Sequence, residues 1–242
     1  MKASKLRSLW ITVAASFFTG YYCFLASVRG FCGKAHRGWV DKTIRTWSSR
    51  LLKLARVNYV VVNPHHVEPK LGQPTIIMSN HSSLYDIPVS FKTFPNHSIR
   101  WLAKKELSQV PFMGRGMVAA ECPFIDRKNR HQAIKDLNAA KRLLESGIIM
   151  WIAAEGTRSK DGRLADFKKG PFITAIEAKA TIILIGIRGA FNIIPAKTRH
   201  FNINEQVEIH VGKPIDASLY TLENKEELIK KAHQEMKALL ES

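Results

Sequence analysis

Along the chain, apolar positions fall into three regimes. Residues 9–28 hold 20 positions without a charge, including Trp10, Phe17, Phe18, Tyr21, Tyr22 and Phe24, a run long enough to cross a hydrocarbon core as a helix. It is too long for the apolar part of a signal peptide and has no small-residue cleavage site, so it is expected to be retained. Thr12, Ser16, Thr19 and Gly20 dilute it, and the pattern fits a helix that spans a bilayer as well as one that only dips into it. From 39 to 56 the period becomes helical. Val40, Ile44, Trp47, Leu51 and Leu54 fall on one face, and Arg45, Arg50, Lys53 and Arg56 lie elsewhere on the wheel. Such a stripe packs either on a domain core or at a membrane interface. The two Trp, the cationic face and the adjoining apolar helix point to the interface.

After residue 56, short β-rich runs alternate with helical segments. Strands are predicted at 57–62, 75–78, 99–103, 148–153 and 181–187, with a further one at either 117–120 or 123–125. Residues 207–211 alternate with polar neighbours, as an exposed edge would. Helices are predicted at 86–93, from 104, at 131–146, 172–179 and 223–240. The almost wholly apolar 148–153 reads as a strand covered on both faces. Alternation of this kind predicts an α/β fold with a largely parallel or mixed sheet flanked by helices. The N-terminal helical pair precedes it.

At 242 residues and 45% hydrophobic composition, the chain can bury one substantial core plus an appendage. The expected division is 1–56 as membrane-associating helices and 57–242 as the α/β domain. The formal charge of +17 calls for anionic partners. Residues 1–56 carry eleven Lys and Arg against one acid, Asp41, so +10 of that charge flanks the apolar run. That distribution favours an anionic phospholipid surface over nucleic acid, for which no aromatic-interleaved recognition word is present. Basic residues after the apolar run outnumber those before it, which predicts a domain facing the cytoplasm. Cys23, Cys32 and Cys122 are too widely spaced for a disulfide framework or a zinc signature, and no metal site is assigned.

The organising stretch is Ile76 to Asp86, reading IIMSNHSSLYD. A buried strand would deliver His81 into a turn, and Ser83 would cap the following helix. Residues five apart on one helix lie about 140° apart. Only with His81 in the turn can its ring fold back onto Asp86. That is the arrangement of a general base, one ring nitrogen held by a carboxylate and the other free. Asp86 also fits the acid of a capping box. Arg127 and Arg158 offer planar forks suited to phosphate, Gly156 permits close backbone approach, Thr157 adds a hydroxyl, and Lys168 and Lys169 add cationic contacts. In an open α/β sheet, parallel strands would bring His81, Arg127 and Arg158 to one edge.

Four words occur in order: Asn80-His81-Ser82-Ser83-Leu84-Tyr85-Asp86, Phe124-Ile125-Asp126-Arg127, Glu155-Gly156-Thr157-Arg158-Ser159 and Phe167-Lys168-Lys169-Gly170. From about residue 57 to 214 the chain resembles the glycerolipid acyltransferases, specifically the 1-acylglycerol-3-phosphate (lysophosphatidate) acyltransferases. The resemblance implies transfer of a fatty acyl group to lysophosphatidate, giving phosphatidate, with acyl-CoA or acyl carrier protein as donor substrate and no separate cofactor. Glycerol-3-phosphate or another lysolipid is the alternative acceptor. It assigns His81 and Asp86 to catalysis, and acceptor-phosphate binding to Phe124, Ile125, Asp126 and Arg127 and to Glu155, Gly156, Thr157 and Arg158, with Glu155 orienting. It also implies that a pair of N-terminal helices seats the domain on the bilayer. The chain departs from the family at Ala153-Ala154, at Glu121 to Pro123, and at Thr181 and Leu184, where proline punctuation is usual.

Overall fold

The computed structural model describes residues 1–126, 129–195, 198 and 200–241. In chain order the helices are α1 (Lys5–Phe31), α2 (Arg37–Leu54), α3 (Asp86–Ser90), α4 (Met113–Ala119), α5 (Arg130–Glu145), α6 (Lys169–Glu177), α7 (Ala190–Ile193) and α8 (Lys225–Glu241). The strands are β1 (Asn58–Val62), β2 (Thr75–Ser79), β3 (Ile99–Trp101), β4 (Ala103–Lys104), β5 (Phe124–Ile125), β6 (Ile149–Ala153), β7 (Thr181–Arg188), β8 (Gln206–Val211) and β9 (Ile215–Asp216).

The main sheet has the order β1-β8-β7-β2-β6-β3, with β9 also on β7. β2 runs parallel to both β6 and β7, β3 parallel to β6, and β1 parallel to β8; β7 pairs antiparallel with β8 and β9. The sheet is thus mixed and mostly parallel. β2 lies in its middle with all five residues buried. Successive side chains of a strand point to opposite faces, and two core layers follow. Ile77, Trp151 and Ile183 share one face with Ile44, Leu51 and Val89 from α2 and α3. Ile76, Met150 and Ile182 share the other with Leu144, Phe172 and Met236 from α5, α6 and α8.

The apolar stripe of α2, expected at a membrane interface, packs on the sheet instead. Val40, Ile44, Leu51 and Leu52 are buried in the same core layer as Ile77. The reason is electrostatic as well as apolar. Arg100 on β3 is fully buried, and its guanidinium donates to Asp41 of α2 at 2.7 Å and to Glu121 at 3.4 Å. The one acid of the first 56 residues is spent on that contact. Arg37 then pairs with Glu121 at 2.9 Å.

α1 has Ser4 as its N-cap, which accepts the Arg7 N–H, and it lies along the domain. Its start is held by the Ala3 N–H to the Phe201 carbonyl and by the Phe201 N–H to Ser8 Oγ. Near its far end it crosses α4. A Cβ on Gly116 would come within 2.3 Å of the Cys23 carbonyl oxygen, and one on Gly30 within 2.6 Å of Ala119 Cβ. Residues 117–120, offered as one position for a strand, therefore lie mostly in α4. The other offered position, 123–125, holds β5, which pairs with β4 away from the main sheet. The 207–211 run forms β8 with the expected alternation, but β1 covers its outer side, so β1 is the edge strand. Among the described residues α1 is the one helix long and apolar enough to cross a membrane.

Candidate active site

The register Ser79↔Ala153 aligns the carboxyl ends of β2 and β6, and the Ala154 N–H to Ser79 carbonyl bond extends the ladder one residue further. Both chains then turn at the same edge, one into His81 and the other into Glu155. His81 Nδ1 lies 2.8 Å from Asp86 Oδ2. Asp86 Oδ2 already accepts two main-chain N–H groups, so it serves as an acceptor here, Nδ1 carries the hydrogen and Nε2 keeps its lone pair. Nε2 has no partner among the described residues, and the side chain is 16% exposed. The ring stands edge-on to Trp151, centroids 6.2 Å apart.

Asp86 is fully buried. Its Oδ2 also accepts the Ser82 N–H at 2.7 Å and the Ser83 N–H at 2.8 Å, and Ser83 Oγ accepts the Tyr85 N–H at 3.3 Å. Ser83, expected as the cap, is not the N-cap of α3, which is Tyr85 and has no side-chain cap bond. The Asp86 oxygen instead ties down the turn before the helix and the imidazole together.

Glu155 is 2% exposed and does not face outward to a ligand. Its Oε1 accepts the His81 N–H at 2.7 Å and its Oε2 the Ala165 N–H at 2.9 Å. Burial pushes its carboxyl above the usual range, against the pull of those two N–H bonds. The His81 carbonyl in turn accepts the Ser159 N–H at 2.7 Å. The backbone of His81 is thus held on both sides by the segment after β6. Gly156 has φ +73°, in the left-handed region the turn requires.

Asn80 was not singled out by sequence, yet it makes two bonds that close the site. Its amide donates to the Ile187 carbonyl at 2.9 Å and accepts the Ile187 N–H at 2.8 Å. These continue the β2 to β7 pairing past its last register position. A polar side chain directly after a buried apolar strand was the available signal, since a buried amide must find partners.

The remaining residues divide. Thr157 and Arg158 are exposed beside Ser159, and Arg158 makes no hydrogen bond or ion pair among the described residues. Phe124 and Ile125 form β5. Asp126 accepts the Asn129 N–H and pairs with Lys105 at 3.0 Å. Arg127 lies outside the described residues. Lys168 is exposed at the start of α6, its N–H bonded to the Ala154 carbonyl. Lys169 is engaged elsewhere, pairing with Glu226 of α8 at 2.6 Å.

Residues 58–188, more than half of the chain, match the family described as Acyltransferase. This chain belongs to the acyltransferase family. It is 37% identical over 158 residues to an uncharacterized acyltransferase of Schizosaccharomyces pombe, a match that covers 64% of this chain and 56% of that protein. It is 29% identical over 203 residues to 1-acyl-sn-glycerol-3-phosphate acyltransferase alpha of Homo sapiens, covering 83% of this chain and 70% of that one. With the 1-acyl-sn-glycerol-3-phosphate acyltransferase of Saccharomyces cerevisiae it shares 29% identity over 236 residues, 96% of this chain and 75% of the relative. This family member therefore spans from just over half to three quarters of the length of these relatives. Its fold is that of the crystal structure of the 1-acyl-sn-glycerophosphate acyltransferase PlsC from Thermotoga maritima, with a TM-score of 0.79 at 24% identity over 98% of this chain and 94% of that one.

Proposed function

We propose that this acyltransferase moves a fatty acyl group from acyl-CoA or acyl carrier protein to the free hydroxyl of lysophosphatidate, giving phosphatidate. The observation that carries this reading is the 2.8 Å His81 to Asp86 contact, with Nε2 left for the acceptor. As the hydroxyl oxygen attacks the thioester carbonyl, Nε2 takes its proton. The tetrahedral intermediate then collapses, the C–S bond breaks, and the imidazolium returns the proton to the departing thiolate. Positioned bases of this kind contribute about 10² to 10⁴ in rate. Asp86, buried against the ring, stabilises the imidazolium between the two steps. The two substrates balance the reaction. The exposed Arg158 beside the His81 backbone is suited to the acceptor phosphate.

The surface of α1 supports a membrane-seated enzyme. Leu6, Leu9, Val13, Phe17, Phe24 and Val28 recur at helical spacing and are all exposed, whereas Ser8, Ile11, Ala14 and Ala26 are buried against the domain. A helix held lengthwise on its domain, with an apolar stripe outward, fits one that lies in the interface rather than crossing alone. The basic excess after the apolar run supports a cytoplasmic face.

The test is thiol release with a panel of acceptors. Release that requires added lysophosphatidate and disappears in His81→Ala is the expected result. Release without an acceptor would mean hydrolysis, and release with glycerol-3-phosphate alone would move the acceptor assignment.

A further inference from the structure

On the outer side of α2 the fold gathers cations that the reaction does not use. Lys92, just after α3, is half-buried, and its Nζ donates to Ser49 Oγ at 2.6 Å. Arg45, Ser49 and Lys53 are spaced by four residues on α2 and so share one helical face. Arg45 is itself fixed: its guanidinium donates to the Pro95 carbonyl at 2.7 Å, and its own carbonyl accepts the Ser49 hydroxyl at 2.8 Å. Burial, together with the charges of Arg45 and Lys53, pulls the Lys92 ammonium below its usual range. Among the described residues no carboxylate pairs with Lys92. Asp41, the acid on this helix, is already bonded to Arg100 and Ser98.

The half-buried Lys92 ammonium feels the like charges of Arg45 and of the exposed Lys53, and its partial burial weakens the screening by water. An anion with several acceptor oxygens relieves that repulsion. The neighbourhood indicates where such an anion comes from. Arg50, adjacent to Ser49, lies 5.4 Å over Phe18 and 5.5 Å over Tyr22 of α1, beside the exposed Phe17 and Tyr21. The cationic face thus borders the apolar stripe, as headgroup-level residues border a membrane-inserted surface. We propose that Lys92, Arg45, Lys53 and Ser49 form a site for the phosphate group of an anionic phospholipid headgroup. The proposal rests on the reading that α1 lies in the membrane interface, and it is independent of the acyl-transfer chemistry.

The experiment measures sedimentation of the full-length protein with phosphatidylcholine vesicles, with and without phosphatidylglycerol, in the absence of substrate. Lys92→Gln should weaken binding to the anionic vesicles about tenfold or more, as loss of a charge-assisted hydrogen bond does, and leave binding to pure phosphatidylcholine unchanged. Arg45→Gln should reproduce that lipid-selective loss, with the melting temperature of both variants measured alongside. Lys42→Gln, an exposed cation on the same helix, should lose only about fivefold, as diffuse surface attraction does. Equal losses at Lys42 and Lys92 would reduce the site to general attraction and overturn it. A second arm follows inorganic phosphate by phosphorus NMR: if Lys92→Gln abolishes phosphate binding but leaves vesicle binding intact, the site serves free phosphate and the lipid assignment fails. Because no turnover is read, failure of the acyl-transfer reading leaves these results untouched. Failure of the membrane-seating reading shows separately, as unchanged binding of Phe17→Asp to both kinds of vesicle.

Discussion

Glu155 Oε1 accepts the main-chain N–H of His81 at 2.7 Å, so the acid of the Glu-Gly-Thr-Arg word grips the peptide of His81 rather than facing outward to a ligand. Gln in its place offers one oxygen for two donors, leaving either His81 or Ala165 facing an amide nitrogen. Glu155→Gln should lower turnover roughly 10- to 100-fold, the equivalent of one lost charged hydrogen bond of about 1.5–3 kcal/mol, with less effect on acceptor KM.

The same residue gives a pH signature. Its carboxyl sits above the usual value of 4.5 in the folded state, so the native protein holds that proton more tightly than the unfolded chain. Its contribution to stability is full below pH 4.5 and is lost as pH rises through the native value. The stability difference between wild type and Glu155→Gln should therefore move against wild type as pH rises through that window. Urea midpoints across pH measure it, and a difference that does not move with pH contradicts the shift.

Asp86→Asn removes the charge from an oxygen that receives three donors. Turnover should fall by about 10⁴, as in other His–carboxylate pairs, and melting temperature should fall as well, because the turn before α3 hangs on the same atom. Combined with His81→Ala the turnover losses should be far from additive. A folded Asp86→Asn enzyme with most of its activity would remove the pair from catalysis.

Arg158→Lys keeps the charge and loses the fork. Lysophosphatidate KM should rise about tenfold or more with donor KM little changed. The reverse pattern in steady-state kinetics would assign Arg158 to the donor.

Asp41→Asn removes the charge that faces the fully buried Arg100 at 2.7 Å, leaving Glu121 at 3.4 Å as its carboxylate. The cost should be about 3–5 kcal/mol by denaturant unfolding, typical for one member of a buried pair. Glu121→Gln should cost less, since Glu121 is 31% exposed and its contact to Arg100 is 3.4 Å.

Phe17→Asp changes a side chain that is 66% exposed. Stability should stay within about 0.5 kcal/mol, while affinity for neutral phosphatidylcholine vesicles should drop about tenfold or more, from the lost burial of one aromatic ring. Unchanged vesicle binding would place the membrane surface elsewhere.

The sheet was legible because its central strands are apolar on both faces, and runs such as Ile76 to Met78 and Ile149 to Ile152 have few other uses. The His81 to Asp86 pair was legible because a turn between strand and helix is the one place where that spacing lets the side chains meet. The destination of α2 was not. A stripe with Trp39 and Trp47 on a basic helix has the same periodicity whether it meets lipid or a sheet, and what decided it was Asp41 reaching a buried Arg100 59 residues away in sequence. The role of Glu155 was half legible: an orienting part follows from its charge, but its partner is a backbone N–H, which no side-chain pattern reveals. The glycines at 114 and 116 are points of close contact, with Ser108 and Cys23, which no hydrophobic pattern reveals.

Those contacts join two distant tasks. With Gly116 against the Cys23 carbonyl and Gly30 against the Ala119 methyl, α1 and α4 meet at these two points with nothing larger than a methyl group between them, which couples their positions closely. Four residues after α4 the chain enters β5, where the Phe124-Ile125-Asp126 word begins. On the proposed seating of α1 in the membrane interface, its depth would be coupled through α4 to a segment that the resemblance assigns to the acceptor phosphate, and the membrane would serve as a mechanical reference for the substrate's headgroup.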